Sequence, residues 1–415
     1  MIQSPEARVR EAVEGELAAE LARRGSGRLS LEDQDWLYRL VGRMVADEQR
    51  RTGAAGEKEE AADLWRRVYA AVSPLGPLAE HLADPEVEEV RINGTENCFV
   101  IRNGRRETVA APFSDPEALI ALVQWYADGA GNARLDRSSP TVTLTLPDGS
   151  RLHAALSPPA RPLAVTIRRH VVSRFGSLTD LAAAGLATTA KIALLEAMVK
   201  ARLNILIAGG TGAGKTTLVR ALCRAIPPEE RLITIEDQAE LHVWRDLVDC
   251  VSLEARSSNS EGRGAISIQM LVHEALRMSP DRIVIGEVRG GEALDLLDAM
   301  NTGHPGSICT LHSDSPRETL PRLARLALRN AHAPRPEAIA SEIARTVDVV
   351  LHLGVISEGG ARKRRLRSIG MVVEGLDGWV EELTRDSVGR MPERMATALR
   401  ATGFGAQQVW DALDG

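Results

Sequence analysis

One glycine-rich segment constrains the fold more than any other part of this 415-residue chain. Residues 209–217 read GGTGAGKTT and match the pattern G-x-x-x-x-G-K-S/T. They follow the mainly apolar run Leu203–Ile207 and lead into a helical pattern over Lys215–Ile226. Where a strand, a glycine loop and a helix follow in this order, backbone N–H groups and the helix N-terminus can surround phosphate groups. The segment therefore predicts a nucleotide-binding α/β domain.

Two side chains have specific roles in a loop of this kind. Lys215 reaches the β- and γ-phosphates, and the Thr216 hydroxyl binds Mg²⁺. The other loop residues contribute mainly backbone N–H groups. The predicted nucleotide-binding residues are Gly209, Gly210, Thr211, Gly212, Ala213, Gly214, Lys215, Thr216 and Thr217.

Several short segments in the second half of the chain are apolar almost throughout. A strand without polar alternation is buried on both faces, which is typical of a mostly parallel sheet between layers of helices. The segments are Asn204–Ala208, Arg231–Glu236, Arg282–Gly286, Ser307–His312 and Val347–Leu353.

Carboxylates stand at the ends of two of these strands, in RLITIEDQAEL and PDRIVIGEVRG. The carboxyl ends of the strands form the edge at which open α/β sheets bind ligands. Gly286 occupies the place of the aspartate that commonly ends such a strand, and Glu287 follows it. We predict that Glu287 polarises the attacking water and that Glu236 is a ligand of Mg²⁺-bound water or an alternative base.

Histidines and basic residues extend the predicted site. In NTGHPGSICTLHSDSP, His312 follows a strand and is predicted to sense the γ-phosphate, whereas His304 either joins the site or only orders its loop. Several arginines are candidates to cover a bound nucleotide: Arg134, Arg137, Arg151, Arg168 and Arg169 in the preceding domain, and Arg256 and Arg263 before the helix Ser267–Met278. The basic run ARKRRLR at 361–367 predicts a solvated hairpin turn, with a partner or anionic lipid as the alternative.

The pattern along the chain divides it into four regions. Residues 1–75 have helical periodicity, interrupted by a predicted mobile link at Gly53–Glu60. Short β-type segments and one helix over 76–175 predict a small α+β domain. The nucleotide-binding domain extends over 176–385, and a short helical tail over 386–415 ends the chain.

Composition argues against several classes of protein. A net charge of −6, a pI near 5.9 and 3% aromatic residues disfavour nucleic-acid binding. The four cysteines lie far apart, which indicates neither a zinc site nor a disulfide framework. No stretch has the roughly 18 uncharged apolar residues that a membrane span needs, so any membrane association is expected to go through partners.

The succession of GGTGAGKTT, IEDQAEL, ALRMSPDRIVIGEVRG and NTGHPGSICTLHSDSP resembles the Walker A, Asp, Walker B and His boxes of bacterial secretion ATPases. These enzymes serve type II and type IV secretion and type IV pilus assembly. Within that group, DPEVEEVRING, LDRSSPTVTLTLPDGSRLHAAL and VTIRRH look like the N-terminal domain of the Tad pilus ATPases and, less closely, of the type IV secretion traffic ATPases. The resemblance covers residues 80–375.

This resemblance implies a RecA-like ATPase domain after a PAS-like α+β domain. It implies Mg²⁺-dependent ATP hydrolysis by a homohexamer at the cytoplasmic face of the inner membrane, where platform proteins of a pilus or secretion system bind it. By this resemblance, Glu236 and Glu287 are assigned the acidic roles in catalysis, and Arg151 and Arg168 are assigned the nucleotide contacts of the N-terminal domain. The alternatives to a pilus or secretion motor are a nucleic-acid translocase and a ring that binds nucleotide without hydrolysis.

Overall fold

The computed structural model describes residues 4–24, 34–52, 58–72, 78, 81–82, 84, 86–102, 104–111, 113, 115–129, 134–146, 150–169, 176–256, 258, 263–358, 361–373 and 379–414. The chain divides into two compact units. The first comprises residues 1–172 and 259–261, and the second comprises residues 173–258 and 262–415. The predicted boundaries at 75/76 and 175/176 lie outside the described residues.

The first unit begins with three helices, where helical periodicity predicts them. They are α1 (Pro5–Arg24), α2 (Gln34–Thr52) and α3 (Lys58–Val72). The first part of the predicted link at Gly53–Glu60 lies outside the described residues, and its last residues already belong to α3. Residues 58–60 of the predicted link are therefore helical.

A six-stranded antiparallel sheet with strand order β3-β2-β1-β6-β5-β4 completes the first unit. Its elements are β1 (Val87–Asn93), β2 (Asn97–Arg102), β3 (Arg105–Val109), α4 (Pro116–Gly129), β4 (Thr141–Thr145), β5 (Arg151–Ala155) and β6 (Ala164–Arg168). Val9 of α1 and Val68 of α3 belong to the same hydrophobic cluster as Val90 and Leu152 of the sheet. The N-terminal helices and the α+β region therefore share one core, although the sequence suggests separate regions.

The second unit contains an eight-stranded sheet with strand order β14-β13-β12-β7-β11-β10-β8-β9. The six strands from β12 to β9 in this order are parallel, as the apolar segments predict, and β13 and β14 add an antiparallel edge. The strands are β7 (Ile205–Gly209), β8 (Leu232–Glu236), β9 (Cys250–Glu254), β10 (Arg282–Ile285), β11 (Ile308–Leu311), β12 (Val349–Glu358), β13 (Ala361–Val373) and β14 (Trp379–Glu382).

Helices cover both faces of this sheet and contribute to two hydrophobic clusters. They are α5 (Leu178–Ala183), α6 (Thr189–Lys200), α7 (Lys215–Cys223), α8 (Ile268–Ala275), α9 (Glu292–Asn301), α10 (Pro316–Ala327), α11 (Pro336–Thr346), α12 (Glu393–Ala401) and α13 (Ala406–Asp414). Met395, Leu399 and Val409 of the C-terminal tail are buried in the same cluster as β7. The tail is therefore part of the core of this unit. Among the described helices, none has the length and apolar composition needed to cross a bilayer.

Candidate active site

The glycine loop leaves β7 and enters α7 in the geometry that its sequence predicts. Gly209 has φ +154°, and a Cβ at this position would lie 2.5 Å from the Leu353 carbonyl oxygen of the neighbouring strand β12. Gly214 precedes α7 with φ +96°, a left-handed conformation that side chains disfavour. Both positions therefore require glycine, Gly209 because of its close approach to β12 and Gly214 because of its backbone conformation.

Lys215 is the first residue of α7 and is only 9% exposed. Its ammonium group donates hydrogen bonds to the carbonyl oxygens of Gly209 at 2.8 Å and Gly210 at 3.1 Å. Burial lowers the pKa of this amine, and the nearby Glu287 carboxylate opposes that shift. The ammonium is thus held at the centre of its own loop, where phosphate oxygens could replace the two carbonyl acceptors.

His312 connects the lysine to the predicted base. Its Nδ1 atom lies 3.3 Å from the Lys215 ammonium nitrogen. Because an ammonium can only donate, this nitrogen accepts, and in the neutral ring the proton is on Nε2. Nε2 lies 2.9 Å from Oε1 of Glu287, a close polar contact without the geometry of a formed hydrogen bond. The structure therefore places Lys215, His312 and Glu287 in one row across β7, β11 and β10.

Arg289 holds the other oxygen of the Glu287 carboxylate. Its Nε donates to Glu287 Oε2 at 2.6 Å, and its Nη1 lies 3.4 Å from Oδ2 of Asp237. A cavity of about 360 Å³ borders this group and is lined by Glu287, Val288, Arg289, His312 and Arg322. Sequence reasoning missed Arg289 and Asp237, although both stand within two residues of a predicted acid.

Glu236 ends β8 in a different environment from the one predicted. Its side chain is 2% exposed, and Oε1 accepts hydrogen bonds from the backbone N–H groups of Glu240 at 3.0 Å and Leu241 at 3.1 Å. Burial raises the pKa of this carboxyl to about 7, against the effect of the two N–H donors. A Cβ at Gly286 would lie 3.0 Å from Cγ of Glu236. Gly286 therefore replaces the usual aspartate because the buried Glu236 side chain fills the adjacent space.

The carboxylate beside Thr216 is that of Glu240. The Thr216 hydroxyl lies 3.4 Å from Glu240 Oε2. Glu236 orders the loop that carries Glu240 through the backbone bonds described above. The geometry therefore favours Glu240 over the predicted Glu236 beside the Thr216 hydroxyl, which is predicted to bind Mg²⁺. Glu240 belongs to the IEDQAEL segment, but an exposed loop acid has no periodicity that would single it out.

His304 does not join this group, which corrects its prediction as a catalytic residue. It precedes β11, whereas His312 follows the same strand, so the two histidines stand at opposite ends of β11. The Nδ1 atom of His304 lies 2.8 Å from the Pro280 carbonyl oxygen, and its own carbonyl accepts from the Ser307 hydroxyl. His304 orders the loop before β11, the other reading that the sequence left open.

The two arginines that the resemblance assigns to nucleotide contacts lie on neighbouring strands. Arg151 begins β5 and Arg168 ends β6, and the two residues are partners in the antiparallel register. Within the described residues, neither guanidinium forms an ion pair. They form a small electropositive position on this sheet.

The basic segment 361–367 is not the solvated turn that its charge predicts. It forms the first half of β13, which pairs with β12. Arg364 donates from Nε to the Gly212 carbonyl oxygen of the glycine loop at 3.0 Å, and Arg365 donates to the Gly185 carbonyl oxygen. Two of these side chains thus bind backbone of the second unit, because a long strand positions them along its edge.

Comparison with known proteins agrees with this geometry. The family described as "Type II/IV secretion system protein" matches residues 73–360. A Mycobacterium tuberculosis protein whose name refers to conjugal transfer is 37% identical over 79% of this chain and 92% of its own length. Protein VirB11 of Agrobacterium fabrum is 34% identical over 67% of this chain and 87% of its own length. The X-ray structure of the Legionella pneumophila ATPase DotB has a TM-score of 0.52 at 19% identity, covers 79% of this chain and 85% of its own, and supports the fold. The chain therefore belongs to the type II/IV secretion system ATPase family, as its motifs predict.

Proposed function

We propose that this ATPase is the motor that powers protein secretion or assembly of a Tad-like or type IV-like pilus across the bacterial envelope. The observation that carries the proposal is the row of Lys215, His312 and Glu287 at the carboxyl ends of adjacent strands. The names of the relatives support the type IV secretion branch. The N-terminal motifs DPEVEEVRING and VTIRRH support the Tad branch.

The donor set of the loop fits ATP with Mg²⁺. The N–H groups of the loop and the Lys215 ammonium suit phosphate oxygens, and the Thr216 hydroxyl with the Glu240 carboxylate suits Mg²⁺ and its water ligands. When bound, the metal neutralises charge on the phosphate oxygens. The Glu287 carboxylate orients and deprotonates the attacking water, and Arg289 fixes that carboxylate. His312 is the γ-phosphate sensor because it faces both Lys215 and Glu287.

We further infer that the working form is a homohexamer bound to platform proteins at the inner face of the cell membrane. The resemblance of the boxes to those of secretion ATPases supports this inference. Arg151 and Arg168 stay predicted nucleotide contacts, supported by their lack of acidic partners among the described residues. Loss of ATP affinity on replacing either with alanine, in assembled rings, is the expected result.

Steady-state ATP hydrolysis by the purified full chain tests the motor. We expect Lys215→Ala and Glu287→Gln each to lower kcat by about 10² or more, since each removes a group that acts on the reacting phosphate or water. Glu254→Gln is the matched control, because Glu254 also ends a strand of this sheet but lies at its edge. Undiminished turnover in Lys215→Ala contradicts the proposal. ATPase activity that appears only with DNA and falls steeply with salt would indicate a translocase instead.

A complementation experiment separates the two branches. In a strain lacking this gene, the wild-type chain restores either surface pili or export of secreted protein, and Lys215→Ala restores neither. Restored pili assign the chain to the Tad branch, whereas restored export assigns it to the secretion branch. Equal complementation by wild type and Lys215→Ala contradicts the motor.

A further inference from the structure

The hairpin of β12 and β13 flanks the glycine loop on the side away from the predicted base. Leu353 of β12 is in register with Gly209 at the end of β7, and two residues further along β12, Val355 is in register with Arg364 of β13. The strand order β13-β12-β7-β11-β10 puts Arg364 on one side of β7 and His312 with Glu287 on the other. Arg364 therefore stands beside the loop, where β7 has ended.

Arg364 contacts the loop at two residues. Its Nε donates to the carbonyl oxygen of Gly212 at 3.0 Å. A Cβ at Gly214 would lie 3.3 Å from the Cδ of Arg364, so the aliphatic part of the arginine covers the α-carbon of this glycine. The guanidinium is thus fixed against the part of the loop whose N–H groups face the phosphates.

The terminal nitrogens of this guanidinium have N–H donors that bind no acceptor among the described residues. A guanidinium carries five N–H donors, and the Gly212 carbonyl uses one. Among the described residues, the terminal nitrogens of Arg364 have no acceptor and no acidic partner, and the side chain is exposed. The planar fork that remains matches the geometry of phosphate oxygens. An exposed cation fixed by its Nε against a phosphate-binding loop is arranged to bind an anion there.

We propose that Arg364 is a nucleotide-binding residue that contacts the diphosphate common to ATP and ADP; this inference rests on the proposed ATPase site. The diphosphate is assigned because His312 and Glu287, which are predicted to act at the γ-phosphate, lie on the other side of β7. Arg364 holds the loop through Nε and binds phosphate oxygen through its terminal N–H groups. ATP and ADP are thus held by two cations, Lys215 from within the loop and Arg364 from the flanking hairpin.

Equilibrium binding of ADP and of a non-hydrolysable ATP analogue to the full chain tests this role. We expect Arg364→Ala to weaken both nucleotides equally, by about tenfold to a hundredfold, which is typical of one charge-assisted contact. KM for ATP rises with it, while kcat at saturating ATP changes much less. Arg364→Lys keeps the charge without the fork and restores only part of the affinity.

Lys363→Ala is the matched control, since it removes the same charge from the adjacent position, whose side chain leaves the other face of the strand. We expect the nucleotide affinities of this variant to stay within about twofold of wild type, because a charge on the exposed surface contributes little. An unchanged Kd for Arg364→Ala, or an equal loss in Lys363→Ala, overturns the inference. A loss of kcat at unchanged Kd also overturns it, because that pattern belongs to a residue that only shapes the loop.

Two further measurements keep the result interpretable. Thermal unfolding without nucleotide verifies that Arg364→Ala folds, and the Lys variant supplies the same test if the alanine variant does not. Wild-type binding of ADP that Lys215→Ala abolishes establishes the ATPase site independently. If the wild type binds no ADP, the proposed function fails, whereas a normal wild type with a normal Arg364→Ala refutes only the role of Arg364.

Discussion

Replacing Glu236 with glutamine should change how stability depends on pH. The carboxyl is 2% exposed and its pKa is raised to about 7, mainly by burial, from an ordinary 4.5. Glutamine has the same shape and can still accept the backbone N–H bonds of Glu240 and Leu241 through its oxygen. The substitution therefore removes the titration while keeping most of the packing.

The sign follows from which state holds the proton. Below pH 4.5 both the folded and the unfolded chain hold it, so the carboxyl costs no stability. Between pH 4.5 and about 7 the unfolded chain releases the proton and the folded chain keeps it, so the free energy of unfolding falls as pH rises. A difference of about 2.5 pKa units, at about 1.4 kcal/mol each, makes the loss about 3 kcal/mol. Above pH 7 the loss is complete and constant.

Urea unfolding of the wild type and of Glu236→Gln over this pH range measures the effect. The variant should gain about 3 kcal/mol relative to the wild type between pH 4.5 and about pH 8. Glu254→Gln is the control, because Glu254 is the register partner of Glu236 on β9 and is exposed. The reasoning about burial is refuted if the difference in unfolding free energy between wild type and Glu236→Gln does not change with pH. It is also refuted if Glu254→Gln alters the pH dependence of the unfolding free energy to the same extent.

Three further substitutions test the geometry of the site. Gly286→Ala should destabilise the chain by about 1–3 kcal/mol, because its Cβ would crowd Glu236 Cγ. In a double-mutant cycle measured by urea unfolding, Glu236→Ala in the same chain should relieve that cost. Arg289→Ala should lower kcat by about tenfold without changing the ADP Kd, because Arg289 fixes Glu287 but does not contact the loop; an equal loss of ADP affinity contradicts this. Glu240→Gln should raise the Mg²⁺ concentration for half-maximal turnover severalfold, and an unchanged Mg²⁺ titration contradicts its place beside the metal.

The glycine loop and the parallel sheet could be predicted because both leave strong local signals. The loop requires glycine at Gly209 and Gly214, and a strand buried on both faces reads as an apolar run. Strands β3 and β9 lacked that signal, since β3 is polar and exposed and β9 is only half-buried. Strand β9 lies at one edge of its sheet, where no second neighbouring strand buries its residues.

Side-chain roles at the site were harder to predict than the fold. The sequence placed Glu236 and Glu287 correctly at strand ends but could not tell that the first is buried and that Glu240 stands in its place beside Thr216. Burial of a carboxylate depends on the missing side chain at Gly286, which lies fifty residues away along the chain. The pairing of Glu236 with Gly286 can be recognised only once β8 and β10 are known to be adjacent strands.

Chain direction separates the two histidines of the His box. In a parallel sheet the residue after a strand reaches the ligand edge, whereas the residue before it lies at the opposite edge. His312 follows β11 and His304 precedes it. This rule could have been applied to the sequence, and it accounts for the position of His304 outside the site.

The contacts of Lys215 connect the glycine loop to the predicted base, Glu287. Its donors face two loop carbonyls and Nδ1 of His312, while Nε2 of the same ring faces Glu287. An anion that takes the lysine donors removes the contact at Nδ1 and leaves the ring beside Glu287 alone. The imidazole of His312 therefore links the loop lysine to Glu287, because its two nitrogens face the two charged groups.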